Sequence, residues 1–564
     1  MVLSQPFMAW GGYWAIPAVV LLAFVSLFFY RCVFYPMYLS PLRYASRAPL
    51  SASFSPFLSF LLGPFSGQFL AVTKGEAGII QDDWLERYAK DKGVVRVLGP
   101  AWTERLVVFN PDIWRKILVE GHDNYIKPRT WRNPLKIFLG EGIFTVGSPE
   151  CHTVLRKMIN PAFSLINLAS QTDRFYEVAE ALVDAVAEQI EPAQSSTGCV
   201  LSVYPWMSRA ALDIICSFAY SHYPKALRDQ HSELAMALRT SFSAQNGWKQ
   251  LILTIVISIP GLGSFLKSEP GWRTVEFITA LIPQSPLSDL FDLFVSVMKS
   301  AAITRRIAKD IMDRERPDSL GLTSKWQTGS VIAVMENDLE RDKADSYRFK
   351  ISEDLVMGQI VSLMVAGYGP TSSSMSWTLY FLAANKDAQE RLRQEVRSAT
   401  ANNSRPEYQT IKSLKWLDCV IMESLRILPG IPDVYLEANT TEHVAGMLIP
   451  KGTVLYFPVR AVNTSKSVWG PDAEEYRPER WLNRPAGLNV RDSFQSFFSG
   501  SHGCAGKTLA IMELKIVIAK LITNFEFDLA YEGQVPKLTY AFVMIPKDDM
   551  PLRVRRLQDT GCSE

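Results

Sequence analysis

Three glycines bracket a lone cysteine near the carboxy end of this chain, in Phe497-Phe-Ser-Gly500-Ser-His502-Gly503-Cys504-Ala-Gly506. Glycines at these positions let the backbone fold back tightly and come close to a flat ligand. A helix is predicted to begin near Lys507. Cys504 therefore stands just before a helix N-terminus, where the dipole and nearby amides favour a thiolate. The other cysteines, at 32, 151, 199, 216, 419 and 562, are scattered and form no CxxC pair. That odd, dispersed set is no disulfide framework, and it fits a reducing compartment. One thiolate without a second soft ligand suits neither tetrahedral zinc nor an iron–sulfur cluster.

A single thiolate does suit haem, where one protein ligand binds iron and the opposite face stays open. By chance, a Phe-x-x-Gly-x-(Arg/His)-x-Cys-x-Gly pattern arises in roughly one chain in ten thousand of this size. Charge excludes a competing class. With 59 basic and 57 acidic residues the net charge is +2, and no long basic block occurs, so composition makes no case for nucleic acid.

The amino terminus carries the next signal. Residues 1–30 contain no charged side chain, and Ala9–Tyr30 is one apolar run. It is about long enough to cross a bilayer as a helix. Trp10, Tyr13 and Trp14 mark one interface, and Tyr30 and Tyr35 the other. Arg31, Arg43, Arg47 and Lys74 all precede the first acid, Glu76, which places the rest of the chain on the cytoplasmic side. A cleaved signal peptide would need a basic start and a small-residue cleavage site, and neither is present. The sequons at Asn402, Asn439 and Asn463 are read as chance matches.

Beyond a Pro-containing connector there is no linker or repeat. Val94–Leu98 and Arg105–Phe109 read as a hairpin. Helical periodicity dominates from about 150 to 430. Strand-like runs return at Val444–Ile449 and Thr453–Pro458, a helix at Thr508–Thr523, and a strand at Tyr540–Ile545. The class is mainly α with small β-sheets (α+β). The apolar stretch Leu251–Pro260 is too short and too broken for a second crossing. It is either a membrane-dipping loop or an ordinary buried helix.

The Cys504 segment resembles the cytochrome P450 family of haem-thiolate monooxygenases. Three further matches come in the family's order: Glu423-Ser-Leu-Arg426, Pro478-Glu-Arg480-Trp, and His152-Thr-Val-Leu-Arg156 with Asn160-Pro-Ala-Phe after it. The resemblance covers about Tyr38 to Leu557, and the Tyr35–Arg43 junction looks like fungal members. It implies haem b, with Cys504 as the axial iron ligand and Phe497 and Gly506 flanking it. His502, His152 and Arg156 would meet the haem propionates. Glu423, Arg426 and Arg480 would form a structural triad. It also implies a P450 fold with one N-terminal transmembrane helix (1–34), a connector (35–50) and a single catalytic domain (51–564). The protein would then be single-pass in the endoplasmic reticulum membrane, its catalytic domain cytoplasmic.

Two departures stand out. Where most members carry A/G-G-x-(Asp/Glu)-Thr in the long distal helix, this chain reads Ala366-Gly367-Tyr368-Gly369-Pro370-Thr371. Glycine and proline can neither hold nor pass a proton, and Pro370 should kink or bulge the turn. The helix is expected to start at Ser352. Thr371 is the proton-relay candidate, with Ser374 or a substrate hydroxyl as alternatives. Second, the family's propionate-binding arginine aligns with Leu436.

No G-x-G-x-x-G fingerprint occurs, so electrons would come from a separate NADPH–cytochrome P450 reductase. Lys507, Lys515 and Lys520 are candidates for its docking face. By analogy the pocket is lined from Asn124–Trp131, Val365–Thr371, Ile431–Tyr435 and Tyr540–Val543. Their apolar character implies a lipophilic substrate, such as a terpenoid or polyketide of fungal secondary metabolism. Two alternatives stay open: a haem-thiolate isomerase or dehydratase that does not use dioxygen, and a haem-binding protein without turnover.

Overall fold

The computed structural model describes residues 11–48, 78–89, 92–99, 103–191, 198–229, 231–243, 261–315, 352–484, 489–539 and 542–557. The helices that bear on the site are α1 (Gly11–Phe29), α2 (Arg129–Leu139), α3 (Pro149–Ile159), α4 (Tyr204–Tyr220), α5 (Glu233–Ser243), α6 (Glu353–Ala384), α7 (Lys415–Ile427) and α8 (Lys507–Asn524). The strands are β1 (Ser46–Arg47), β2 (Val94–Leu98), β3 (Glu104–Val108), β4 (Tyr125–Ile126), β5 (Cys199–Ser202), β6 (Asp433–Ala438), β7 (Glu442–Val444), β8 (Met447–Ile449), β9 (Val454–Pro458), β10 (Phe525–Leu529) and β11 (Pro551–Arg556).

The central element is α6. Ser352 caps it, its hydroxyl accepting from the Leu355 amide at 3.3 Å, and Glu353 and Asp354 in the first turn complement the helix dipole. A helix apolar on every side must be buried on every side. α6 accordingly lies inside the largest core cluster with α4 and α8, among Ile215, Leu363, Trp377 and Ile516. The helix runs on through Pro370, which stands inside it. Gly367 and Gly369 let neighbouring side chains press against this stretch: a Cβ at 367 would lie 2.5 Å from Ile215 and one at 369 would lie 2.5 Å from Phe242.

The largest sheet has the order β1-β2-β3-β9-β6-β4. β2 and β3 form the expected antiparallel hairpin, and β9 joins β3 in parallel. One face packs Leu436 and Phe457 with Trp114; the other packs Val107 and Tyr456 with Trp84. The residues expected as a connector take part, since Leu42 and Ala45 are buried and β1 pairs with β2.

Two expectations are corrected, and a third lies outside the described residues. The apolar amino-terminal run is helical as α1, but among the described residues no helix is long and apolar enough to cross a membrane. Pro17 lies inside α1 and removes one bond of its ladder. The transmembrane anchor and the endoplasmic-reticulum placement derived from it are therefore not upheld. Next, the strand expected at Tyr540–Ile545 is absent from its described part: 540 and 541 lie outside the described residues, 542–545 is in no strand, and the flanking Leu538 and Pro546 make an isolated bridge. The last strand is β11, paired with β10 and β5. Finally, Leu251–Pro260 lies outside the described residues, and 262–281 after it forms two short helices.

Candidate active site

The loop before α8 is closed by its own backbone. The Cys504 amide donates to the Phe497 carbonyl at 2.8 Å, and the Gly503 amide to the Gly500 carbonyl at 3.1 Å. Gly500 has φ +68°, and any Cβ there would overlap the Leu118 carbonyl oxygen, so both backbone freedom and close approach demand glycine. Phe498, at φ +57°, is fixed by edge-on contacts with Trp114 and Phe457.

Cys504 keeps accessible surface although protein groups crowd around its thiol. Burial pushes its thiol above the usual range, opposed by the Gly506 amide and the charges of Arg156 and Lys507. A coordinated metal removes a thiol proton outright, so the same cations would then stabilise the thiolate.

α3 brings two further expected residues beside this loop. The His152 and His502 rings lie 4.7 Å apart, tilted by 38°. His502 Nε2 is 3.2 Å from the Tyr125 carbonyl, which can only accept, so Nε2 carries the proton. Nδ1 is buried without a hydrogen-bond partner. Burial, then the charge of Lys127, lowers His152 to about 4 and His502 to about 2. Lys127, which the motifs did not reveal, is itself lowered to about 8 by burial alone. Asp123, at the rim, pairs with His122 instead. Lys127, His152, Arg156 and His502 thus form a partly buried basic cluster on which, among the described residues, no carboxylate acts. A group bringing two carboxylates would satisfy it, and haem b is such a group. The residues present fit.

The triad is assembled. Arg426 makes two bonds of 2.8 Å to Glu423, and Arg480 Nε lies 3.3 Å from the same carboxylate. The Trp481 indole also donates to Glu423 at 2.9 Å. Arg426 further donates to the Asn463 carbonyl at 2.8 Å. The Asn463 side chain in turn accepts from the Gln495 amide at 2.8 Å and donates to Ser496 Oγ at 2.8 Å. Asn463 therefore couples the triad to the cysteine loop. As a fully buried side chain it is no glycosylation site, and its place in a sequon gave no hint of this role.

On the opposite wall, Val365, Ala366, Gly367 and Pro370 are the only incompletely buried residues of α6 between Gly358 and Ala383. In mid-helix, such surface faces an interior space. Pro370, not Thr371, stands on that wall, and Thr371 is buried beside it. Ser374 donates its hydroxyl proton to the Pro370 carbonyl at 2.8 Å. A carboxylate at 369 is excluded by the Phe242 ring. Of the expected pocket segments, Trp131 meets Phe542 at 5.2 Å, but Tyr435 turns away to stack on Tyr456 at 4.7 Å. Leu436 is buried in the sheet core.

Two of the three docking lysines are engaged elsewhere. Lys515 is buried against Asp418 at 3.0 Å and Lys520 against Glu180 at 2.7 Å. Only Lys507 stays exposed, at a cavity of about 380 Å³ that Phe497, Arg115 and Arg491 also line.

A family model for cytochrome P450 matches residues 61–271 and 289–552. The chain is 26% identical to cytochrome P450 monooxygenase 91 of Postia placenta over 83% of its own length and 88% of that protein. It is 26% identical to cytochrome P450 monooxygenase sphH of Aspergillus fumigatus over 93% and 90%. Against cytochrome P450 monooxygenase FSL4 of Gibberella zeae the figures are 24% over 95% and 93%.

Proposed function

The chain belongs to the cytochrome P450 family, and from that premise we propose a haem-thiolate monooxygenase that hydroxylates a lipophilic substrate, with Cys504 as the axial ligand. Cys504, its thiol crowded by protein groups beside a basic cluster with no acid of its own, carries this reading. When bound, haem b supplies oxidation chemistry in which dioxygen takes two electrons and two protons, one oxygen entering the substrate and the other leaving as water.

The chain's own residues hold and orient. His152, Arg156 and His502 would hold the haem carboxylates, and Phe497 and Gly506 would flank the Cys504 ligand. Glu423, Arg426 and Arg480 keep the loop in register through Asn463. Trp131, Phe542, Val365 and Ala366 wall off an apolar space that excludes water. A fungal secondary metabolite is the substrate class proposed, in keeping with relatives that come from fungi. Thr371 is buried beside the α6 wall and Ser374 spends its proton on the Pro370 carbonyl, which leaves a substrate hydroxyl as the proton-relay candidate. A separate NADPH-dependent reductase is the electron donor, docking where Lys507, Arg115 and Arg491 surround the cavity behind the cysteine loop.

The test is turnover of lipophilic candidates with purified reductase. Product that requires both NADPH and dioxygen, and is lost in Cys504→Ala, supports the reading. The exclusion of an acid at 369 favours one second reading, an isomerase or dehydratase. Product formed without NADPH and dioxygen would establish that instead.

A further inference from the structure

Proline has no amide hydrogen, so Pro370 inside α6 gives nothing to the carbonyl four residues before it, that of Ala366. A side-chain hydroxyl can replace such a bond by reaching back three or four residues. For Ala366 the residues at those distances are Gly369 and Pro370, and neither carries a hydroxyl. Further along α6 the device is used repeatedly. Ser372 donates to the Gly369 carbonyl at 2.9 Å, Ser374 to that of Pro370 at 2.8 Å and Thr378 to that of Ser374 at 2.8 Å. Among the described residues, no side chain donates to the Ala366 carbonyl.

A helix carbonyl points along the axis toward the residue four ahead, so this acceptor lies on the face that Ala366 and Pro370 share. That face is the interior wall. Phe242 fills the side of Gly369, and Gly430 closes on Pro370, a Cβ at 430 falling 2.9 Å from the Pro370 carbonyl oxygen. The Ala366 acceptor therefore opens toward the interior space. Its neighbours on the wall, Val365 and Gly367, bring no side-chain donor. Leaving a carbonyl without a donor away from water costs about as much as a lost hydrogen bond, so the position calls for one.

We propose that the Ala366 carbonyl is a substrate subsite: it accepts from a hydroxyl on an otherwise apolar substrate, and so selects lipophiles that already bear an alcohol. An ether oxygen, which can only accept, gains nothing there. The inference rests on the monooxygenase reading and narrows its substrate class.

The Soret shift of the purified, haem-loaded protein reads binding of three probes, cedrol, menthol and farnesol, and of the methyl ether of each. The best-bound alcohol should exceed its ether in affinity by about three- to tenfold, as one net hydrogen bond gives. Pro370→Ala returns an amide hydrogen to the Ala366 carbonyl and suits a helix interior better than proline, so the variant should fold at least as stably. In it the alcohol should lose its advantage while the ether keeps its affinity. Three results overturn the proposal. No alcohol binds more tightly than its ether, as when the carbonyl holds only water. The preference persists in Pro370→Ala, which places the hydroxyl elsewhere. Or alcohol and ether weaken equally in the variant, which marks a change of packing. A parent protein without a thiolate-type carbon monoxide band overturns the monooxygenase reading itself; an intact band with any of the three results overturns this inference alone.

Discussion

Phe242 decides what position 369 can hold. Its ring lies 2.5 Å from where a Cβ would stand, so Gly369→Asp should not restore a proton relay. It should cost about 1–3 kcal/mol by overpacking, read as a lowered denaturation midpoint, with no gain in product per NADPH. Adding Phe242→Ala should recover most of that stability. Pro370 is a different case, because it faces the open wall and a threonine there would regain an amide. Pro370→Thr should leave the coupling of NADPH to product unchanged or better; a large loss would mean that Pro370 itself is needed. The sequence shows both departures by their place in the helix. Phe242 was not legible, because it reaches α6 from another helix and no local pattern records such a contact.

The pairing of α7 with the segment before α8 is where the scaffold can be tested. Glu423 and Arg426 are both fully buried, so Arg426→Ala removes the carboxylate's closer cationic partner, leaving it Arg480 and Trp481, and should cost about 3 kcal/mol in chemical denaturation. Asn463→Ala breaks the two side-chain links to Gln495 and Ser496. It should cost about 1–3 kcal/mol and lower the haem-to-protein ratio. Elements with strong local signals were legible from sequence: the β2–β3 hairpin, the Ser352 cap, and α8 immediately after Gly506. Tyr540–Ile545 misled because its β-rich composition is used in irregular backbone, where the Met544 carbonyl accepts from Ser373 and from Trp377.

At the scale of the molecule, the question is which charges meet the electron donor. Lys515 and Lys520 sit on the expected helix but inside ion pairs, leaving Lys507 with Arg491 exposed around the cavity. Lys507→Glu with Arg491→Glu should slow reduction by the flavoprotein several-fold at low ionic strength, and the difference should shrink as salt screens it. Lys515→Ala should lower stability and leave the salt dependence of reduction unchanged. The amino-terminal run shows how far hydropathy reaches: it marks a helix, but not how much of that helix stays apolar and unbroken. The central claim is that Cys504 ligates haem iron as a thiolate, and the carbon monoxide difference spectrum of the reduced protein tests it most directly. The account predicts a strongly red-shifted Soret band that Cys504→Ala abolishes. A band at the shorter wavelength of imidazole or neutral-thiol haem, or a red-shifted band that survives in the variant, would contradict it.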